Sequence, residues 1–251
     1  MSTDRAAAPA RPTRTLSEPD SKALVAQFGV RLPREATAHD PDAAVRAAVA
    51  IGFPVVLKLA GDAIAHKTER GLVRVGLGDA ASVAREAAAL LARARPEDGA
   101  VSLLVAEQVA GRRELIVGLV RDPQFGPCVM LGQGGVLAEA LADAVFAVVP
   151  LSREGALGMI DGLATRRLFV EPHRGEPALD REALADVLEG LSRLALARPE
   201  IASVDLNPLI LKDGVPIAVD ALVELAVASP AAEGEADATA ERSDAETLER
   251  F

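Results

Sequence analysis

The chain has no tryptophan and no tyrosine, and its six phenylalanines leave only 2% aromatic residues in 251. Bases of single-stranded nucleic acid stack on such rings, so that ligand class is disfavoured. The formal net charge of −10 counts equally against a general polyanion binder. One cysteine, Cys128, excludes an intrachain disulfide. With no apolar leader at the N-terminus, a reducing, cytoplasmic setting is expected. No run approaches the roughly 18 uninterrupted apolar residues of a membrane span.

The acid is unevenly placed. Residues 231–251 hold seven carboxylates against Arg242 and Arg250, which is half of the net charge. The body is therefore only mildly acidic and has room for a local basic pocket. Half of all residues are hydrophobic, enough for a real core, and that core must be built from Val, Leu, Ile and Ala.

Patterning divides the chain. Residues 1–16 are Ala-, Pro- and Arg-rich without periodicity and read as a flexible lead. Ser17 and Asp20 offer caps for a helix that Gly29 ends, and Asp40-Pro41 starts a second helix that stops near Gly52. Strands are expected at 54–60 and 72–77 around a polar loop, then a helix at 81–95. A strand-rich block comes next, at 102–109, 114–121, 127–132 and 144–150, with helices at 152–163 and 180–197. Strands at 203–211 and 215–224 close the body, and an acidic, disordered tail is expected over 226–251. Strands in runs, not strictly alternating with helices, indicate an α+β fold. A break near 110 predicts two lobes, 17–109 and 110–225.

Three stretches carry chemistry. Asp213-Gly214 between apolar runs predicts a two-residue hairpin turn. The register would then place Lys212 opposite Val215, Ile210 opposite Ile217 and Asn207 opposite Asp220. Asp205 shares the face of Asn207, because side chains alternate along a strand. Asp205, Asn207 and Asp220 would form a small oxygen cluster suited to Mg²⁺; a solvated turn around Pro208 is the plainer alternative. Gly132, Gly134 and Gly135 come after an apolar strand, where backbone N–H groups can approach a phosphate, or simply turn the chain. Lys58 lies inside the run Pro54–Leu59. Its ammonium needs a phosphate, a structural carboxylate or a path to water. His66, in a polar loop, is either a surface residue or a nucleophile toward a phosphoryl group. His39 and His173 read as surface residues and Cys128 as an inert core thiol.

In order, G-F-P-V-V-L-K (52–58), A-H-K-T (65–68), L-L-V-A-E-Q-V (103–109), E-L-I-V-G (114–118), R-D-P-Q-F-G-P (121–127), G-Q-G-G (132–135), D-L-N-P-L (205–209) and A-V-D (218–220) resemble the ATP-grasp domain of ADP-forming acyl-CoA synthetases, relatives of the succinyl-CoA synthetase β subunit. The resemblance covers residues 17–225. It implies an ATP-grasp fold with a nucleotide cleft between two lobes, and an acid-thiol ligase active only with a CoA-binding α subunit. Acyl-CoA or carboxylate and phosphate would bind through that partner. It implies that Lys58 contacts the phosphates of ATP or ADP and that Glu107, Gln108 and Val109 form the adenine-holding hinge. Glu114 would lie near the ribose, with Gly134 and Gly135 at the phosphates. Asn207 and Asp220 would hold Mg²⁺, with Asp205 beside them. His66 matches the histidine that is transiently phosphorylated.

Two departures stand out. Thr68-Glu69-Arg70-Gly71-Leu72 lacks the usual paired glycines, and Ala147 stands where an arginine is frequent. They leave open a non-catalytic ATP/ADP-sensing subunit. Another ATP-grasp carboxylate ligase is a third reading, disfavoured by the H-K-T context.

Overall fold

The computed structural model describes residues 12–61, 64, 67, 70–136 and 138–227. Two sheets, each with helices against one face, build two lobes.

The smaller lobe is a four-stranded sheet, ordered β2 (Glu35–Ala38), β5 (Val101–Glu107), β3 (Val55–Gly61), β4 (Val73–Leu77). Helices α2 (Pro41–Ile51) and α3 (Ala80–Leu91) cover it. Asp40 and Asp79 cap them as Asx residues do, accepting from the N–H groups of Ala43 and Ser82. The alternation of β3 sorts its side chains between core and cleft. Val55, Leu57 and Leu59 turn toward the helices and are fully buried. Val56 and Lys58 turn the other way and line a cavity between the lobes.

The larger lobe is a seven-stranded sheet. Its main path runs β1 (Thr13–Thr15), β11 (Leu222–Ala226), β9 (Ile201–Lys212), β6 (Glu114–Asp122), β7 (Gly126–Gln133), β8 (Ala144–Val148); β10 (Val215–Ala218) pairs with β9. Helices α1 (Glu18–Ala26), α5 (Arg153–Gly162) and α7 (Arg181–Ala197) pack with it, and two short helices, α4 (Ala138–Leu141) and α6 (Arg167–Val170), fill connections. Leu184, Leu188, Leu191 and Leu194 of α7 are wholly buried, each contributing about 2 kcal/mol as an upper figure.

Packing corrects the expected division. Leu24, Val25 and Val30 belong to the larger core, not to a first lobe beginning at residue 17. Gly190 of α7 makes room for this. A side-chain carbon there would sit 2.2 Å from the Phe28 carbonyl, so only glycine lets the end of α1 come so close. The buried residues of the smaller core all lie between Ala38 and Val105. The flexible lead is also corrected, because residues 13–15 form β1 along β11. Residues 1–11 of that lead and 228–251 of the tail lie outside the described residues.

The expected last strand, 215–224, is broken. Asp213 and Gly214 make the turn with φ of 53° and 84°. β10 pairs in the predicted register, Val215 with Lys212 and Ile217 with Ile210. Residues 219–221 then leave the ladder, and β11 rejoins it in the same register, Leu222 with Asp205. No described helix is long and apolar enough to cross a membrane.

Candidate active site

The cavity between the lobes measures about 380 Å³. From the smaller lobe it is lined by Lys58, Glu107, Gln108 and Val109, and from the last strands by Asn207, Val219 and Asp220. Six of the residues expected at the nucleotide or metal thus meet in one space. Pro33, Val56, Val73, Val75, Ala106 and Ile210 supply apolar walls, the composition of a small-molecule site.

Lys58 is where a strand of one lobe reaches the other. Its Nζ donates to Glu18 Oε1 at 2.7 Å and to the Val219 carbonyl at 2.8 Å, and lies 3.8 Å from Asp220 Oδ2. An ammonium has three N–H donors, so two are taken and one remains. Burial outweighs the attraction of Glu18 and Asp220 and draws the Lys58 pKa below the usual lysine range.

Glu18, at the first turn of α1, organises a cluster that sequence reasoning missed. The residue is 3% exposed, and its carboxylate faces three ammonium groups: Lys58, Lys22 at 2.9 Å and Lys67 at 2.6 Å. The Lys67 approach to Oε2 is an ion pair without hydrogen-bond alignment. Lys67 also donates to Asp220 Oδ1 at 3.2 Å, and Lys22 to Glu35 at 2.7 Å. Burial alone would raise the Glu18 pKa. The pull of Lys58, Lys22 and Lys67, with the Lys58 hydrogen bond, wins and holds it at about 2. For Lys22, burial is likewise overcome, by Glu18 and Glu35, and its pKa is raised.

Little in the primary structure announces this cluster. Glu18 and Lys22 are an ordinary i, i+4 pair near a helix start, where an acidic residue is expected on a surface. Lys67 is visible only as part of A-H-K-T.

At the hinge, the Glu107 side chain is tied by Lys212 and by Arg34, 3.0 Å away, and these hydrogen bonds lower its pKa to about 2. The backbone N–H of Glu107 donates to the Arg34 carbonyl, and that of Gln108 to Pro54. Gln108 Oε1 accepts from the Gly76 N–H at 2.7 Å. Among the described residues, nothing accepts from the N–H of Val109.

Asp205 does not line the cavity, but it stands near enough to Asp220 for their charges to interact. Partial loss of water, then the Asp220 carboxylate, push the Asp205 pKa up. Two carboxylates with a neighbouring amide oxygen form an acceptor-only set that a hard cation relieves. Among the described residues no group of three His, Cys, Asp or Glu side chains forms a metal site, so the described ligands here are the two carboxylates and the Asn207 amide oxygen.

The remaining expected residues part company. Glu114, Gly134 and Gly135 line a second cavity of about 230 Å³ with Arg112, Arg113, His173 and Arg174. Gly134 is needed there because a side-chain carbon would lie 3.0 Å from the Glu114 backbone, and its N–H donates to the Glu114 carbonyl at 2.8 Å. Ala147 packs against the larger core and lines neither cavity. Cys128 is buried and free, and His39 and His173 are exposed. His66 lies outside the described residues, one position from the described Lys67.

Comparison with known proteins bears on this geometry. Residues 7–225 match the family model described as an ATP-grasp domain. The β subunit of ADP-forming acetate–CoA ligase I from Pyrococcus furiosus is 35% identical over 211 residues, spanning 83% of this chain and 90% of that one. The dinucleotide-forming acetyl-coenzyme A synthetase 1 of Ca. Korarchaeum cryptofilum, in complex with coenzyme A, Ca-AMPCP and HgCl⁺, superimposes with a TM-score of 0.79 at 35% identity, covering 84% of this chain and 93% of that one. Another structure of that enzyme holds coenzyme A and Mg-AMPPCP, with a phosphohistidine segment pointing towards the nucleotide-binding site; its TM-score is 0.72 at 35% identity, with coverage of 84% and 93%.

Proposed function

The chain belongs to the ATP-grasp family, among relatives of the β subunits of ADP-forming acyl-CoA synthetases, and from that premise we propose that its interlobe cleft passes a phosphoryl group between His66 and ADP. One observation carries the reading: the Lys58 ammonium, with one donor uncommitted, projects into the same cavity as the hinge residues, Asn207 and Asp220.

In this reading the adenine lies against Glu107, Gln108 and Val109, with the open Val109 N–H as a donor to the ring. Ring recognition by backbone groups suits a chain so poor in aromatics. Lys58 and Lys67 neutralise phosphate oxygens. Asn207 and Asp220, with Asp205 beside them, would hold Mg²⁺, which supplies further positive charge at the phosphates when bound. Phosphoryl transfer needs in-line placement and charge neutralisation above all, and the buried Lys58 and Lys67 ammonium groups support the second requirement.

The full reaction needs a CoA-binding α partner. There an acyl-CoA and inorganic phosphate give acyl phosphate and free CoA. The phosphoryl group then passes to a histidine of the partner, releasing the carboxylate, and from it to a nitrogen of His66. Attack by the terminal phosphate oxygen of ADP breaks that P–N bond, forms ATP and returns the imidazole. Acyl-group selection belongs to the partner.

Incubation with ATP labelled at the γ-phosphate and Mg²⁺ should produce an acid-labile, alkali-stable phosphoprotein, and His66→Ala should abolish it. ATP binding without any label would instead support the sensing subunit. Undiminished label in His66→Ala would overturn the histidine assignment.

A further inference from the structure

Glu18 takes no part in the phosphoryl transfer, yet it is the most heavily contacted carboxylate of the cleft. We propose that it is a positioning residue that stands in for nucleotide phosphate. Its two oxygens hold the Lys58 and Lys67 ammonium groups where phosphate oxygens need them, and nucleotide binding proceeds by competition with it. The inference rests on the nucleotide reading of the cleft.

The geometry supplies three reasons. First, Glu18 reaches both lysines that also approach Asp220, Lys58 through Oε1 at 2.7 Å and Lys67 through Oε2 at 2.6 Å. It thus spans them with two anionic oxygens, as a phosphate would. Second, it is anchored from outside the smaller lobe. It opens α1, whose Leu24 and Val25 are fixed in the larger core, and Ser21 of the same helix accepts from the Val223 N–H at 3.1 Å. Lys58 rides a strand of the smaller lobe, so the contact crosses the cleft. Third, Lys22, itself wholly buried and paired with Glu35, approaches Glu18 Oε1 at 2.9 Å, the oxygen that Lys58 also contacts, and so holds the carboxylate from its own helix. Glu18 therefore keeps a partner on its own helix when the cleft lysines turn to another anion.

The charge count then matters. Three ammonium groups, Lys22, Lys58 and Lys67, face three carboxylates, Glu18, Glu35 and Asp220. The cluster is balanced before a nucleotide arrives. An incoming polyphosphate meets lysines that are already paired, which weakens its binding but finds them in place. Neutralising Glu18 should therefore raise affinity and lower rate together. A merely structural carboxylate would give no such split, since damage to the fold weakens binding as well.

The experiment measures Mg-ADP and Mg-ATP affinity by calorimetry and the single-turnover rate of labelling from γ-labelled ATP, in the full chain and in Glu18→Gln. The Kd for nucleotide should fall about tenfold, as removal of one nearby negative charge from a partly buried site implies. The labelling rate at saturating ATP should fall about tenfold or more, because the lysines lose their fixed placement. Glu18→Asp keeps the charge but withdraws it by one methylene. It should show near-wild-type affinity and a lowered rate, and it carries the test if Glu18→Gln does not fold. Unchanged or weakened binding in folded Glu18→Gln would overturn the proposal, as would a wild-type rate in Glu18→Asp. Failure of the wild-type chain to bind either nucleotide would overturn the functional reading itself, a result distinct from both.

Discussion

The two cavities hold similar residues and use them differently. In the second, the Arg113 guanidinium is spent on the protein. Its Nε donates to Glu176 at 2.9 Å, and its remaining nitrogens to the carbonyls of Leu168, Phe169, Glu171 and Pro177. Those bonds pin the connection around α6 to the start of β6. At the first cavity, Lys58 and the neighbouring Lys67 are as buried but meet carboxylates and one carbonyl, and Lys58 keeps a donor in reserve. Burial and positive charge are common to both places. What separates a cation that builds from a cation that binds is how many of its donors the chain has already consumed.

Lys58→Met tests this most severely. It keeps the length of the side chain and removes the charge. Labelling from γ-labelled ATP should drop by about two to three orders of magnitude, while the circular dichroism spectrum stays that of the parent. Arg113→Met should behave in the opposite way. It strands Glu176 and several carbonyls, and urea unfolding should register a loss of about 3–4 kcal/mol. Nucleotide affinity of the folded fraction should not change. Weaker nucleotide binding in Arg113→Met at unaltered stability would erase the distinction.

A smaller effect is expected from pH. The Glu18 carboxyl titrates at about 2 when folded, against an ordinary value of 4.5. A depressed folded pKa stabilises above the unfolded value, and that stability is lost as pH falls through the interval down to the folded one. The contribution is on the order of 3 kcal/mol. The difference in unfolding free energy between parent and Glu18→Gln should hence be flat above about pH 5 and shrink steadily between pH 4.5 and about 2. A difference independent of pH across that range would show that Glu18 acts by shape alone.

How far the sequence disclosed this site depends on how local each signal is. The Asp213-Gly214 turn fixes its own register, so Asn207 and Asp220 could be placed at one end of the molecule from spacing, and both line the cleft. Lys58 was conspicuous because an ammonium interrupts an apolar strand. Glu18 had no such mark. Its meaning comes from contacts 40 residues away in the chain to Lys58, and no periodicity reports a charge that packing has buried. The same applies to β1 and β2, three and four residues long. They alternate too briefly to stand out, and their pairing partners are distant strands. The glycine loop was legible as a turn, but not which cavity it would enter. That is decided by the pairing of β6 with β7, which brings Gly134 against Glu114.

The zipper between β1 and β11 has a topological corollary. Thr13 pairs with Ala226, and the Val227 N–H donates to the Pro12 carbonyl at 2.9 Å. The described residues begin and end at adjacent doorways on one sheet margin, far in sequence and side by side in space. A tether of a few residues could splice those doorways together, letting new ends be opened at the Asp213-Gly214 turn without unpicking the ladder. A further polypeptide grafted at either doorway would emerge from the same corner, leaving the mouth of the cleft to whatever that graft can reach.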